Sequence, residues 1–466
     1  MDKVIDLAVI GAGPAGMSAA LAAAGAGIEV EIFDSLPLPG GQYFRHHPES
    51  KLSLSGRKMG LADFKSQLSD LGVSVDCTVL VWDLHQDENM NQFDLFLQND
   101  DKKCERVRAK KVIVAAGAFE RVLPFKGWTL PGVMTTGAAW IMGSVPGVLE
   151  RKRVVVYGSG PLLWPAVERL VSSGASVIAV LEWNPFPWEG YRLIPYIWQQ
   201  SDRLKEGWSY LRLFQGQQIP FHWDAEIQTA VGDRTLEAIA FSRAKGKRIQ
   251  TLPVDYLFTG FGLRPSVQLL QVAGAGLDCD SLMGQIPVRD PLLQTTVPGL
   301  FAVGDGVMTM GKDAAALEGK LAGLSAAQQL NSRVDLVHIE QVKKALKKEM
   351  RFTHLLMEIF PFPFTALQTV ADSTVLCRCE EITFGEIRKW MKLGVNDANN
   401  MKALTRIGMG HCQGRFCSSN LVDLLRGGNQ DVKRKLTASK TPVAARPPVM
   451  PVPLKAFLDD EVQNDA

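Results

Sequence analysis

The sequence predicts an α/β fold with two dinucleotide-binding domains, followed by a small helical domain that binds metal. Two glycine-rich loops, near residues 11 and 158, each follow a buried strand and precede a helix. This strand–loop–helix order is typical of a nucleotide-binding βαβ unit. Four of the seven cysteines lie between residues 377 and 417, in two close pairs. Such a grouping indicates a metal site.

The composition excludes several other classes of protein. Of 466 residues, 46% are hydrophobic and 21% are charged, which is enough apolar material for sizeable cores and excludes a wholly disordered chain. The 51 basic and 49 acidic residues nearly balance, so we expect no nucleic-acid partner. No apolar run reaches 18 residues, so we expect no transmembrane segment. The first residues lack a signal-peptide pattern and the cysteine count is odd, which together predict a cytoplasmic protein with reduced thiols.

The first glycine loop has the full context of a dinucleotide site. A buried strand at residues 7–10 precedes it, an Ala-rich helix follows, and the next strand ends in Asp34, which is suitably placed to bind an adenosine ribose. A glycine-rich turn that binds nothing is the alternative, but strand, helix and acid all favour a binding site. The first glycine permits the tight turn, the second lets the backbone approach a pyrophosphate, and the third allows close helix–strand packing. The predicted cofactor-binding residues of this loop are Gly11, Gly13, Pro14, Ala15 and Gly16.

Two later strands end in short segments of small residues. One strand, at residues 112–115, ends in Ala116 and Gly117, as where a chain passes beneath a cofactor. The other ends in Gly304 and Asp305, so that a carboxylate follows the strand directly. We therefore expect Ala116 and Gly117 to lie beneath the first dinucleotide, whereas the roles of Gly304 and Asp305 follow from a resemblance.

Together with Gly41 and Gln42, these segments resemble the disulfide-reductase-like flavoproteins, whose domains are Rossmann-like. In that superfamily an acid at the place of Asp305 hydrogen-bonds the ribityl chain of FAD. The resemblance therefore implies that the first domain binds FAD and not NAD, with Gly41 and Gln42 near the flavin.

The second glycine loop departs from the pattern at its third position. Gly158 and Gly160 follow a buried strand, Leu163 stands where the third glycine belongs, and the next strand ends at Glu182. The segment resembles the NAD(P)H-binding domain of the same superfamily, inserted between the halves of the FAD domain. Glu182 favours an unphosphorylated ribose over NADP. The leucine is expected to push the helix away from the strand and to reshape the phosphate loop.

Three uses of the second loop stay open. It could turn over NAD(H), hold an adenine nucleotide (ATP or NAD) structurally, or serve as an empty scaffold. The paired catalytic cysteines of disulfide reductases are missing from this segment. We interpret Cys77, Cys104 and Cys279 as ordinary buried residues because none has another cysteine near it in sequence.

The four clustered cysteines are predicted to bind an iron–sulfur cluster. Cys377 and Cys379 are separated by one residue, and Cys412 and Cys417 by four. The first spacing argues against structural zinc, whose paired cysteines usually have two to four residues between them. The pattern resembles the small helical [2Fe–2S] domain of the bacterioferritin-associated ferredoxin type. Zinc and free thiols are the alternatives.

The motifs divide the chain into five segments. An aromatic-rich stretch at 183–208 could be local core or an interface anchor. The basic residues at 343–348 are interpreted as a solvated helix face, and His46 and His47 are given no catalytic role. The predicted segments are a discontinuous FAD-binding domain at 1–119 and 252–330, a second nucleotide-binding domain at 120–251, a helical linker at 331–370, the [2Fe–2S] domain at 371–427 and a proline-rich tail at 428–466.

This order of domains resembles the α subunit of hetero-oligomeric, dye-linked amino-acid dehydrogenases. These enzymes act on L-proline, D-hydroxyproline or opines, and the middle subunit of hydrogen cyanide synthase is similar. The resemblance covers nearly the whole chain, and its more specific pieces are residues 116–121, 127–133 and 377–381.

The resemblance implies an oxidoreductase subunit that relays electrons and has no catalytic acid–base pair of its own. Substrate oxidation would belong to an FAD-containing β subunit of the amino-acid oxidase type. Electrons would pass through FAD and [2Fe–2S] to a quinone or dye. The resemblance also allows an FMN at a subunit interface, a small ferredoxin-like subunit, and peripheral membrane association through the complex. A self-sufficient NADH-dependent reductase and a nucleotide-holding scaffold subunit are the alternatives.

Overall fold

A computed structural model gives the architecture of the chain. The described residues are 4–46, 52–54, 57–87, 89–100, 103–193, 201–243, 246, 248–280, 282–427 and 443–454. They fall into two compact units: unit 1 is drawn from residues 1–119, 264–353 and 444–466, and unit 2 from residues 120–263 and 354–443. His47, residues 194–200 of the aromatic stretch, and residues 428–442 and 455–466 of the tail lie outside the described residues.

Strands and helices alternate around the two glycine loops, and further runs of strands and of helices make up the rest of an α/β chain. The strands are β1 (Val4–Ile10), β2 (Val30–Asp34), β3 (Leu52–Leu54), β4 (Arg57–Met59), β5 (Ser74–Cys77), β6 (Leu80–Asp87), β7 (Gln92–Gln98), β8 (Cys104–Val114), β9 (Ala118–Glu120), β10 (Val133–Thr135), β11 (Arg153–Gly158), β12 (Ser176–Glu182), β13 (Phe221–His222), β14 (Ala225–Val231), β15 (Ala238–Arg243), β16 (Ile249–Pro253), β17 (Tyr256–Gly260), β18 (Leu263–Pro265), β19 (Leu277–Asp280), β20 (Gly284–Pro287), β21 (Leu300–Ala302), β22 (Val375–Cys377) and β23 (Ile382–Thr383). The helices are α1 (Pro14–Ala24), α2 (Gly41–His46), α3 (Leu61–Asp70), α4 (Thr136–Gly143), α5 (Leu163–Ser172), α6 (Ser201–Gly216), α7 (Gln268–Val272), α8 (Lys312–Gln329), α9 (Leu336–Ile359), α10 (Phe364–Thr369), α11 (Phe384–Lys392), α12 (Ala398–Thr405) and α13 (Cys417–Leu425). None of the helices in the described part of the chain is long and apolar enough to cross a membrane.

Unit 1 is built on a sheet in which β1 lies between β2 and β8, parallel to both. Strand β5 extends the sheet beyond β2, and β21 pairs in parallel with the end of β8. The start of β8 instead pairs with β7, which with β6 forms an antiparallel extension. Ile10 is in register with Phe33 of β2 and Val114 of β8. The loops after β1, β2, β8 and β21 therefore leave the same carboxyl edge, where such sheets bind ligands.

Helix α1 packs against α8 with almost no side chains between the two backbones. A Cβ built on Gly319 would lie 1.9 Å from the carbonyl oxygen of Ala15, and one on Gly323 would lie 2.2 Å from that of Ala19. Both distances are far below van der Waals contact, so only glycine fits at either position. The packing fixes α1, whose first residues form part of the first glycine loop.

Unit 2 contains a second parallel sheet and an antiparallel one. The parallel sheet has the strand order β10-β17-β11-β12-β13, and β14, β15 and β16 form the antiparallel sheet. The small helical segment that carries the four cysteines packs in the same unit. One hydrophobic core runs from Val155 and Leu257 of the nucleotide sheet to Phe384 and Leu421 of the cysteine-bearing helices.

The boundary predicted at 251/252 falls inside unit 2, because β17 (Tyr256–Gly260) is hydrogen-bonded between β10 and β11. The chain passes between the units at 119/120, 263/264, 353/354 and 443/444. The first of these positions coincides with the predicted start of the second domain. The predicted [2Fe–2S] domain at 371–427 is grouped in the same unit as the second nucleotide domain, since the two share a core.

The described parts of the aromatic stretch and the tail have different environments. Trp183 packs against the core of unit 2, whereas Trp188 is 82% exposed, so the stretch contains both core and surface positions. The tail residue Val449 donates its amide to the carbonyl of Trp82 at 3.0 Å and is buried in the core of unit 1. This part of the tail is therefore attached to the first unit.

A substitution at the contact between α1 and α8 tests whether the packing requires glycine. Gly323→Ala should lower the free energy of unfolding of unit 1 by about 1–3 kcal/mol, because the added methyl group overlaps the Ala19 carbonyl. Urea unfolding monitored by circular dichroism measures the effect. Gly207→Ala is the matched control, because its Cβ would have no neighbour within 4 Å. Equal stability of the two variants would contradict the interpretation.

Candidate functional site

The first glycine loop is held by backbone contacts that leave no room for side chains. Gly11 has a φ of +106°, and a Cβ on it would lie 2.4 Å from the carbonyl oxygen of Ala115. A Cβ on Gly16 would lie 1.8 Å from the carbonyl oxygen of Gly11. The turn thus rests against the end of β8, and α1 starts directly on it. Asp34 is buried and accepts the amides of Ala12 at 2.6 Å and Leu36 at 2.7 Å.

The other segments predicted to contact FAD meet this loop. A Cβ on Gly304 would lie 2.8 Å from that of Ala15, and one on Gly41 would lie 2.8 Å from the Cα of Gly13. The segment after β21 also meets the end of β8, since a Cβ on Gly306 would lie 3.0 Å from the carbonyl oxygen of Gly117. Four stretches that are distant in sequence therefore form one cradle with bare backbone on its walls. A cradle of this kind fits the phosphates of a dinucleotide, which bind to backbone amides and a helix N-terminus.

A carboxylate that carries no recognisable motif in the sequence supports this cradle. Glu318 is buried on α8, accepts the amide of Gly304 at 2.7 Å and pairs with Arg289 at 3.0 Å. Arg289 also donates to the carbonyl of Ala302 at 2.7 Å. Burial raises the pKa of Asp305 to about 6. The signal for Glu318 in the sequence is an acid within the small and apolar residues that form the buried middle of α8.

The second glycine loop has a strand end as tight as that of the first, but its helix starts later. A Cβ on Gly158 would lie 1.7 Å from the carbonyl oxygen of Gly260, so the end of β11 is as tight as in the first loop. Leu163 is fully buried in the core beneath the loop. Helix α5 begins at Leu163, five residues after Gly158, whereas α1 begins three residues after Gly11. The two loops therefore differ in where the helix starts, and the displacement of the helix by Leu163 stays a prediction.

The linker after α9 lies directly over the second loop. A Cβ on Gly160 would lie 3.2 Å from the Cβ of Phe360, so the phenylalanine packs on this glycine. The Ser159 hydroxyl is 3.3 Å from the carbonyl oxygen of Phe360 and 3.4 Å from that of Pro361. The Asn184 amide reaches the Ser159 hydroxyl at 2.6 Å. The face of the loop on which a nucleotide phosphate was predicted is therefore covered by the protein's own chain.

The acid of the second site is also engaged within the protein. Glu182 is 1% exposed and accepts the amides of Gly160 at 2.8 Å and Asn184 at 2.9 Å, together with the Asn184 side chain at 3.0 Å. Burial raises the pKa of Glu182 to about 7, although these hydrogen bonds oppose the rise. Glu182, which we predicted to contact a ribose, thus holds the loop and Asn184 in place.

The four clustered cysteines come together as two facing pairs. Cys377 ends β22 and hydrogen-bonds Cys417 at the start of α13, and both side chains are buried. Cys379 and Cys412 form the other hydrogen-bonded pair, of which Cys379 is exposed and Cys412 half-buried. A Cβ on Gly410 would lie 2.3 Å from that of Cys379, so only glycine allows this approach of the two loops.

Electrostatics link the two pairs. The hydrogen bond with Cys417, helped by backbone amides that include that of Gly408, lowers the pKa of Cys377 to about 6. The same hydrogen bond raises the pKa of Cys417 well above its usual range, and burial and the charges of Cys377, Cys412 and Cys379 add to the rise. All four sulfurs therefore lie close enough to interact.

Four thiols in two close pairs match the ligand set of a [2Fe–2S] cluster, in which four thiolates are spread over two irons. Cys77, Cys104 and Cys279 lie outside this group, on β5, β8 and β19, and are half-buried, so the prediction that they are buried is wrong.

The buried acid of the second loop predicts a pH dependence of stability. The folded protein binds the Glu182 proton more tightly than a free carboxyl with a pKa of 4.5. The stabilisation is therefore complete below pH 4.5 and is lost as the pH rises to about 7, a total of about 3 kcal/mol. Glu182→Gln should remove this part of the slope in urea unfolding measured across that range. The exposed Glu189→Gln should keep it, and identical slopes in the two variants would refute the assignment.

Comparisons with known proteins agree with these sites. Residues 5–182 and 202–348 match the pyridine nucleotide-disulphide oxidoreductase family, and residues 375–426 match the BFD-like [2Fe-2S] binding domain. The opine oxidase A subunit of Agrobacterium tumefaciens (strain Ach5) is 30% identical over 96% of this chain and 90% of its own length. Hydrogen cyanide synthase subunit HcnB of Pseudomonas aeruginosa is 27% identical over 96% of this chain and 97% of its own.

A solved structure shares the fold over almost the whole chain. L-proline dehydrogenase from P. horikoshii superposes with a TM-score of 0.70 and 19% identity, covering 98% of this chain and 80% of that one. This structure and the two family models confirm the predicted fold class. The relatives from opine oxidase and hydrogen cyanide synthase confirm the predicted resemblance to that group of subunits. The chain belongs to the pyridine nucleotide-disulphide oxidoreductase family and is a flavoprotein oxidoreductase subunit of the same type as the opine oxidase A subunit, with a C-terminal BFD-like [2Fe-2S] binding domain.

Proposed function

We propose that this chain is the electron-transfer subunit of a hetero-oligomeric dehydrogenase that oxidises an amino acid or an opine. Electrons come from the flavin of a partner subunit, and the chain passes them through FAD and [2Fe–2S] to a quinone or dye. The observation that carries the proposal is the pairing of an open flavin cradle with a four-thiol site in one chain whose second nucleotide loop is covered. The relatives named as subunits of opine oxidase and of hydrogen cyanide synthase support it, since both belong to larger enzymes.

The residues of the chain hold the cofactors and keep them in place. The loop at Gly11–Gly16 and the start of α1 would bind the FAD phosphates, Asp34 the adenosine ribose and Asp305 the ribityl chain. Ala116, Gly117, Gly41 and Gln42 would complete the site, and Cys377, Cys379, Cys412 and Cys417 would ligate the cluster. When bound, the flavin takes up electrons and the cluster transfers them one at a time. Glu318 and Arg289 hold the Gly304 segment beneath the flavin site.

The exposure of the thiols indicates on which side of the cluster electrons would be exchanged. Cys377 and Cys417 are buried, whereas Cys379 is exposed. Electrons would therefore leave or enter at the Cys379 edge, because that edge can approach another redox centre. We assign this edge to the contact with a partner or with the acceptor.

The partner is proposed to be an FAD-containing β subunit of the amino-acid oxidase type. An FMN at a subunit interface and a small ferredoxin-like subunit remain predictions, as does a cytoplasmic location with peripheral membrane association through the complex. The exposed Trp188 and Tyr191 on unit 2 offer aromatic side chains of the kind enriched at protein interfaces.

Cys412→Ser tests the role of the cluster in the intact complex. We expect substrate-dependent dye reduction to fall roughly tenfold or more, since losing a ligand costs at least as much as losing a hydrogen bond to one. Proline, hydroxyproline, opines and glycine are the substrates to try. Cys279→Ser is the matched control and should retain full activity. Unchanged dye reduction by Cys412→Ser would instead support the nucleotide-holding scaffold.

The covered second loop predicts the response to NADH. Of the three uses left open, we favour the empty scaffold over NAD(H) turnover or a structurally held adenine nucleotide, because Phe360 packs on Gly160 and the carbonyls of Phe360 and Pro361 lie next to the Ser159 hydroxyl. NADH added anaerobically to the purified complex should leave the flavin absorbance unchanged over minutes. Rapid bleaching by NADH alone would favour the self-sufficient reductase. ATP or NAD recovered from the heat-denatured protein would favour a structural nucleotide.

A further inference from the structure

Two of the segments that carry the family resemblance contact the iron–sulfur domain. Arg121, in the segment 116–121, forms an ion pair with Asp423 of α13, with 2.5 Å between Nη2 and Oδ2. Both side chains are almost completely buried, at 2% and 3% exposure. In the segment 127–133, Trp128 donates its indole N–H to the carbonyl of Val375 at 2.7 Å. Both contacts join residues of the nucleotide domain to residues of the cluster domain.

The Arg121 side chain is fixed on more than one side. Its guanidinium carbon lies 3.1 Å from the centre of the Phe362 ring and 4.7 Å from that of Phe364. The planar guanidinium stacks on aromatic faces and donates in its own plane, so the rings and Asp423 together define its orientation. The next residue, Val122, accepts the side-chain amide of Asn420 at 3.1 Å. Arg121 and Val122 at the start of the nucleotide domain thus contact two residues of α13, Asp423 and Asn420.

These contacts lie beside the cluster ligands at both ends of the motif. Asn420 and Asp423 follow Cys417 by three and six residues on α13 and so lie on neighbouring turns of one helix. At the other end, Val375 precedes Cys377 by two residues on β22. Arg378, between the first two cysteines, lies with its guanidinium carbon 5.3 Å from the centre of the Trp128 ring. The two cysteine pairs are therefore held on the nucleotide domain from both sides.

A buried ion pair adds little net stability compared with apolar residues of the same volume, because both charges lose their hydration. Its advantage is geometric, since a mispositioned helix leaves two charges buried without a partner. Arg121 also follows Gly117 of the flavin cradle by only four residues in sequence. The same short stretch of chain therefore contributes to the flavin site and to the attachment of the cluster domain.

We propose that Arg121 is a positioning residue for the [2Fe–2S] cluster. Its ion pair with Asp423, supported by Trp128 and Val375, fixes the cluster domain on the nucleotide domain in the orientation that permits electron transfer. The proposal rests on the proposed electron-transfer function. Loss of the ion pair should slow reduction of the cluster without removing the cluster or the flavin.

The test uses the full chain in its native complex and compares Asp423→Asn with Asp423→Glu. We expect Asp423→Asn to keep its iron, its acid-labile sulfide and its dithionite-reduced electron paramagnetic resonance spectrum. Reduction of the cluster after substrate is mixed with the complex, followed by stopped-flow absorbance and freeze-quench resonance, should slow at least tenfold. Flavin reduction should keep its rate, and Asp423→Glu should recover part of the lost rate.

The control is Asp255→Asn, which breaks an exposed ion pair with Arg153 on the same unit. It should leave both rates and the cluster spectrum unchanged. Hydrogen–deuterium exchange gives a readout that does not depend on activity: the α13 amides should exchange faster in Asp423→Asn than in the control. Wild-type exchange in α13, or wild-type cluster reduction despite faster exchange, would overturn the proposal.

A second variant covers the case in which Asp423→Asn loses its cluster. Trp128→Phe keeps an aromatic side chain but removes the N–H bond to Val375 and the smaller ring of the indole. It leaves Arg121 and Asp423 unchanged, so it should load with iron normally and slow cluster reduction in the same direction. Wild-type cluster reduction in Trp128→Phe would then overturn the proposal. If Cys412→Ser retains dye reduction while α13 still loosens in Asp423→Asn, the electron-transfer function fails and the attachment by Arg121 stands.

Discussion

The flavin half of the molecule depends on backbone approaching backbone without side chains between. The turn at Gly11 lies against the Ala115 carbonyl, Gly16 lies against Gly11, and Gly319 of α8 lies against Ala15. Each contact is shorter than any Cβ permits, so these glycines together hold α1 between the sheet and α8. The position of α1 in turn sets the amides and the helix terminus that we propose bind the cofactor phosphates.

The two glycine loops differ at one residue of the pattern that allows close backbone contact. In both loops, a glycine at the end of the strand lies against a neighbouring backbone. In both, the side chain of an acid also accepts a hydrogen bond from a loop amide. In the second loop, Leu163 fills the core where a third glycine would let the helix approach, and α5 starts later. Sequence alone predicted this departure because the spacing of glycines is a local signal. It could not predict that Phe360 packs on Gly160, since that contact joins residues 200 positions apart and depends on the path of the linker.

The same distinction between local and distant signals holds elsewhere. The α/β class, the two loops and the four-cysteine motif were predictable because each is written within a short stretch of chain. Glu318 was missed because its purpose appears only when α8 lies beside Gly304. Arg121 and Asp423 are 302 residues apart, and neither has a pattern that names the other. The domain boundary near 252 was displaced because β17, although close to the FAD segment in sequence, inserts between two strands of unit 2.

The linker after α9 connects the second glycine loop to the cysteine-bearing segment. Phe360 and Pro361 lie at the end of α9 and lead, through α10, into the strand that carries Cys377. These residues contact Gly160 and the Ser159 hydroxyl, so the second glycine loop anchors the polypeptide that leads to the cluster. A loop of nucleotide-binding type thus serves here as an attachment point within the protein's own chain.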